Sequence, residues 1–111
     1  MQLYSSSPSP FGRKVKITAY VAGLYEQLEV VTIDGNDPES TQINPNPLNK
    51  IPALALESGE LIVDSKVICE YLIQASGRTE MLPEDHRVDY LSRAAIADGM
   101  TEAALLMVYE R

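Results

Sequence analysis

Two short stretches constrain this chain more than any other part of it. Asn49-Lys50-Ile51-Pro52-Ala53-Leu54 reads as a strand entered through a proline, and Val63-Asp64-Ser65 reads as a strand giving way to a helix opened by a hydroxyl. A proline fixes its own φ and removes a donor, and a proline just ahead of a buried strand is a site where a cis bond is expected. A cis Ile51-Pro52 bond turns the N–H and C=O of Ile51 outward, free to pair with an extended ligand. At Asp64-Ser65 the unpaired N–H groups of a helix start would face the same cleft and favour an anion. Together they suit a peptide that carries carboxylates.

The rest of the chain fits an α/β domain. Gln2 to Ser5 is a short strand. Ser9 at the N-cap, Pro10 at the first helical position, and Phe11, Val15, Ala19 and Ala22 on one stripe then predict a helix ending at Gly23. Glu29 to Ile33 is β-branched and predicts a second strand, parallel to the first through a right-handed crossover. Asp34 to Lys50 carries Pro38, Pro45 and Pro47 without a period, as functional connections often do, with room for a short helix over 38–43. Ala53–Glu57 and Glu60–Val63 flank Ser58-Gly59 as a hairpin, and Ile68, Tyr71, Leu72 and Ala75 form the stripe of a helix stopping near Gly77.

Three motifs, in this order and spacing, carry a resemblance: Ser9-Pro10-Phe11-Gly12-Arg13-Lys14-Val15, then Asn46-Pro47-Leu48-Asn49-Lys50-Ile51-Pro52-Ala53-Leu54, then Asp64-Ser65-Lys66-Val67-Ile68-Cys69-Glu70-Tyr71-Leu72. From Met1 to about Leu82 the chain resembles the thioredoxin-like N-terminal domain of a bacterial-like glutathione S-transferase of the serine type. The resemblance implies a thioredoxin-like fold with a four-stranded mixed sheet and three helices. It divides the chain into a glutathione-binding domain at 1–77, a linker at 78–85, and at 86–111 the first helix of a truncated all-helical domain. That last segment, with Ala94 to Ala97, Met100 and Ala103 to Val108, is apolar round too much of its circumference for a one-sided surface helix. Further helices or the second subunit of a homodimer are expected to cover it.

The resemblance also assigns roles. Ser9 would donate to the sulfur of glutathione and favour the thiolate, Ser65 would hold the γ-glutamyl carboxylate, and Asp64, where glutamate is common, the α-amino group. Lys50 would approach the glycyl carboxylate, and the Ile51 backbone would pair with the cysteinyl part, as in strand addition. Each residue has a plainer reading beside this one. Ser9 and the Asp64-Ser65 pair are also what helix caps look like, and Lys50 reads as a solvated loop lysine. Ser5, Ser6 and Ser7 compete with Ser9 for the sulfur. Tyr4 belongs to the first strand and is not a catalytic tyrosine, Arg13 and Lys14 either steer an anion or face solvent, and His86 sits at a helix start. Met100, Ala103 and Met107 either line an electrophile pocket or belong to a core.

Composition excludes other classes. With 111 residues, 45% of them apolar, one modest domain with a core is expected rather than disorder. The net charge of −7 opposes nucleic acid and anionic membranes as partners, no apolar run reaches bilayer length, and the expected location is cytoplasmic. The single cysteine, Cys69, lies in an apolar helix and reads as a small buried hydrophobe, so no disulfide, CxxC motif or zinc cluster can be assembled, and no metal is expected. What the resemblance implies as function is glutathione S-transfer to an electrophilic small molecule, with glutathione as cosubstrate. The rivals are a non-catalytic binding or regulatory relative, and a glutaredoxin-like oxidoreductase. The last is opposed by Ser9 and Gly12 standing where a redox protein needs cysteine.

Overall fold

A computed structural model describes residues 1–110 and separates into two units, Met1 to Arg78 and the segment from Thr79 onward. The first unit is a four-stranded mixed sheet with three helices, a thioredoxin-like fold. Its strands are β1 (Gln2–Ser5), β2 (Glu29–Thr32), β3 (Ala53–Ala55) and β4 (Leu61–Val63), in spatial order β2-β1-β3-β4. β1 and β2 run parallel, as the intervening helix requires, whereas β1–β3 and β3–β4 are antiparallel. The connecting helices are α1 (Pro10–Val21), the short α2 (Pro38–Gln42) and α3 (Ser65–Ser76).

Alternation along the strands decides which side chains enter the core. Leu3 of β1 is paired with Leu54 of β3; both are fully buried, and they join Val15 and Ala19 of α1 with Ile68, Cys69 and Leu72 of α3 in one cluster. α1 buries Val15 and Ala19 at the expected spacing of four. α3 buries Ile68, Cys69, Leu72 and Ile73, whereas Ala75, expected on the stripe, is exposed. The buried face of α3 is centred one position nearer Cys69 than the Ile68–Ala75 spacing suggests. Cys69 is 7% exposed and accepts from the Thr18 hydroxyl at 3.4 Å, consistent with its reading as a core residue.

Local chemistry sets the ends of these elements. α1 closes with the N–H of Leu24 bonded to the Ala19 carbonyl at 2.8 Å, over Gly23 at φ 78°, a conformation that costs glycine nothing. The hairpin has shorter strands and a longer turn than the sequence suggests. Leu56 N–H donates to the Glu60 carbonyl at 2.9 Å, so β3 stops at Ala55 and Leu56 to Glu60 forms the turn. β2 likewise ends at Thr32, after which Ile33 N–H donates to the Ser5 carbonyl.

In the second unit, two 3-10 turns, Thr79–Met81 and Glu84–His86, occupy the segment expected to be a plain linker. A 23-residue helix, α4 (Arg87–Tyr109), follows. His86 stands at its N-cap, with an exposed 3.7 Å contact to Asp85. No residue of α4 is buried, and Ile96, Met100 and Met107 are more than half exposed, so these methionines form no core within the described residues. No described helix is long and apolar enough to cross a membrane.

Candidate functional site

The sheet register brings the singled-out residues to one place. Tyr4, Ala53 and Val63 are aligned across β1, β3 and β4. The C-terminal end of β1, the N-terminal end of β3 and the C-terminal end of β4 therefore share one end of the sheet. From that end emerge the loop holding Ser9, the Lys50-Ile51-Pro52 entry and the Asp64-Ser65 helix start. Adjacent strands lie about 4.8 Å apart, so β1 to β4 spans about 10 Å, close to the reach of an extended tripeptide.

Ser9 is the N-cap of α1, and its hydroxyl oxygen accepts from the Gly12 N–H at 3.1 Å. The cap uses the oxygen and leaves the hydroxyl proton available to a second partner. Of the competing serines, Ser5 is fully buried at the end of β1, while Ser6 supplies the carbonyl that accepts from the Ser9 N–H at 3.3 Å. Ser7 is exposed in the turn. Gly12 sits directly on Ser5: a Cβ at position 12 would collide with the Ser5 hydroxyl and lie 3.3 Å from its Cβ. The first turn of α1 can approach β1 this closely only with glycine there. Gly12→Ala is expected to cost about 1–3 kcal/mol through overpacking, as read by urea unfolding. Unchanged stability would mean that the contact relaxes freely.

The Ile51-Pro52 bond is cis, and Pro52 is buried at the entry to β3. Neither the N–H nor the C=O of Ile51 bonds to another described residue, and Lys50 is exposed beside it. Two amides converge on the preceding carbonyl: Asn44 Nδ2 and Asn46 Nδ2 each donate to the Lys50 oxygen at 3.1 Å. Sequence reading missed both asparagines. Their signal was present as two Asn-Pro pairs, each asparagine able to accept from the N–H two residues on, and this occurs at 3.0 Å to Asn46 N–H and 2.9 Å to Leu48 N–H.

Asp64 is the N-cap of α3 and accepts from the Lys66 N–H at 2.9 Å. Its backbone sits at φ 76°, ψ 124°, a region that costs a non-glycine residue on the order of 1–3 kcal/mol and that clusters at ligand sites. That geometry leaves Ser65 at the first helical position, 6% exposed, with neither its N–H nor its hydroxyl bonded to another described residue. Arg13 is exposed, and the Lys14 ammonium lies 5.7 Å from the centre of the Phe11 ring. Tyr4 stays within β1, its hydroxyl 3.3 Å from Gln2 Oε1. Among the described residues no cluster of three or more His, Cys, Asp or Glu side chains is arranged to hold a metal.

The sheet order and the three loops gathered at one end of it are those of a thioredoxin-like domain. Residues 3–80 match the family model for the glutathione S-transferase N-terminal domain, and the chain belongs to that family. It is 34% identical, over 100% of its length, to the uncharacterized GST-like protein YibF of Escherichia coli K12, of which it covers 55%. It is 36% identical over 77% of its length to glutathione S-transferase L3 of Arabidopsis thaliana, covering 36% of that protein. Among solved structures, a glutathione S-transferase from Methylobacillus flagellatus KT with glutathione bound superposes with a TM-score of 0.85 at 37% identity, over 94% of this chain and 52% of the other. A family member from Pseudomonas fluorescens Pf-5 with bound S-(propanoic acid)-glutathione gives 0.83 at 35% identity, over 98% and 54%. The chain spans about half the length of such relatives, or less.

Proposed function

We propose that this chain binds glutathione across the Ser9, Ile51 and Ser65 end of its sheet and serves glutathione S-transfer to an electrophilic small molecule. The alignment of Tyr4, Ala53 and Val63 carries the reading, because it gathers three sequence-distant loops with complementary chemistry. The glutathione-bound and conjugate-bound relatives support it.

In this reading the γ-glutamyl carboxylate takes the unbonded N–H and hydroxyl of Ser65 at the positive end of α3. Asp64, already fixed by its cap bond, offers its second carboxylate oxygen to the α-amino group. The Ile51 N–H and C=O pair with the cysteinyl backbone, and Lys50 approaches the glycyl carboxylate. The sulfur lies at Ser9, whose hydroxyl proton is directed to it while the oxygen holds Gly12. A donor at that point favours thiolate over thiol, and the thiolate attacks an electrophilic carbon, forming a C–S bond as the leaving group departs with its electron pair.

Calorimetric titration of the chain with S-methylglutathione tests the binding half, with saturable one-to-one binding expected. Ser65→Ala should raise the dissociation constant about tenfold, the equivalent of about 1–2 kcal/mol for a charge-assisted bond. Unchanged affinity would reduce Ser65 to a helix start.

A further inference from the structure

The Asn44 and Asn46 side chains do more than shape a loop. Asn46 is 6% exposed, and its side chain is used at both ends: Oδ1 accepts from Leu48 N–H, and Nδ2 donates to the Lys50 carbonyl. Asn44 repeats the pattern, accepting from Asn46 N–H and donating to the same carbonyl. The Asn46 carbonyl accepts from Asn49 N–H at 2.8 Å, which closes the loop through Asn49 at φ 53°.

The consequence lies across one peptide plane. The Lys50 C=O and the Ile51 N–H belong to the same trans peptide unit, in which carbonyl and N–H point in opposite directions. Two donors that fix the carbonyl toward Asn44 and Asn46 therefore fix the N–H away from them, on the side where Ile51 has no partner in the chain. Two hydrogen bonds on one carbonyl also polarise the amide and make its N–H a better donor.

From this we infer that Asn46 and Asn44 are positioning residues for the ligand: they aim the Ile51 N–H at the cysteinyl carbonyl of the bound tripeptide. The inference rests on the glutathione reading above. It names residues that act through Lys50 and Ile51 without touching the ligand.

Two variants and two ligands test it. Asn46→Asp keeps the size and the acceptor for Leu48 but replaces the donor with an oxygen facing the Lys50 carbonyl, and Asn44→Ala removes the second donor from a less buried position. The ligands are glutathione and its alkene isostere at the Cys–Gly amide, which keeps both carboxylates and the thiol but lacks the cysteinyl carbonyl. Calorimetry should show glutathione weakened at least tenfold by Asn46→Asp and about threefold by Asn44→Ala, with less than twofold change for the isostere in either variant. That coupling between side chain and ligand carbonyl separates aiming from general loop damage.

Folded variants that bind glutathione like the wild type would overturn the inference alone. So would variants that lose glutathione and isostere equally. If Asn46→Asp fails to fold by circular dichroism, Asn44→Ala decides by the same criteria. A wild-type chain that does not bind glutathione would overturn the functional reading itself, and the inference with it.

Discussion

Ser9→Ala is expected to leave glutathione affinity within about threefold of wild type while lowering turnover about 10²-fold, the low end for losing one oxyanion-type donor. The asymmetry follows from geometry. The carboxylates of the ligand are assigned to Ser65 and Lys50, and Ser9 is left to distinguish thiol from thiolate. Its oxygen is engaged by Gly12 N–H at 3.1 Å, so the proton is the part available to sulfur. A hydrogen bond to a charged group is worth about 1.5–3 kcal/mol and one pKa unit about 1.36 kcal/mol, so the thiol of bound glutathione should ionise about one to two units higher in the variant. The ultraviolet absorbance of the thiolate, followed against pH, reads that shift without an electrophile. Conjugation of an aryl halide, measured in a protein of the relatives' full length, reads the turnover. Loss of the cap should also cost about 1 kcal/mol of stability. Ser7→Ala is the control, because Ser7 is exposed in the turn and should change none of these. Full activity in Ser9→Ala with loss in Ser7→Ala would move the sulfur contact two positions upstream.

Leu54→Ala is expected to destabilise the first unit by about 2–5 kcal/mol, the range for emptying a buried leucine site. Leu54 is fully buried between Leu3 and Ile62 on the neighbouring strands, and it packs into the cluster shared by α1 and α3. The loss should appear in urea as a lower midpoint with an unchanged slope. Ile43→Ala provides the contrast, since Ile43 is 53% exposed and its loss should change stability by less than about 0.5 kcal/mol. A Leu54 variant as stable as wild type would mean that β3 is not the centre of the core.

The sheet and its helices were legible because each is written in a period that burial enforces. The alternation about Leu3 and the i, i+4 pair Val15 and Ala19 leave little freedom once Pro10 and Gly23 bracket the helix. Where burial is shared among several neighbours, period alone misplaces a face. Ala75 fits the stripe of α3 by spacing, yet Cys69 and Ile73 carry the burial instead. Strand ends were also over-extended, because Leu56 and Ile33 are apolar and β-compatible while their backbones serve turns and strand ends.

Within the candidate site, Ser9, Ser65 and Pro52 announce themselves through capping and proline chemistry that depends on adjacent residues. The Asn44 and Asn46 bonds to Lys50 depend on how a proline-punctuated loop folds back on itself, which periodicity does not encode. The positive φ of Asp64 is hidden for a related reason, since aspartate is a common cap in ordinary backbone geometry and nothing adjacent in the sequence marks the unusual one. The packing of Gly12 onto Ser5 is hidden too, since a close approach is a property of two elements rather than one.

In the proposed function, one end of the sheet, from the Ser9 loop across Ile51 to Ser65, receives glutathione. Titration of isotopically labelled protein with glutathione, followed through the backbone amide resonances, tests it most directly. The amides of Ile51, Ser65 and Gly12 should shift together along one saturable curve, while those of Leu56 to Gly59, at the far end of β3, stay in place. A titration that leaves Ile51 and Ser65 unmoved at saturating glutathione, or that moves the Leu56 to Gly59 turn instead, would contradict it.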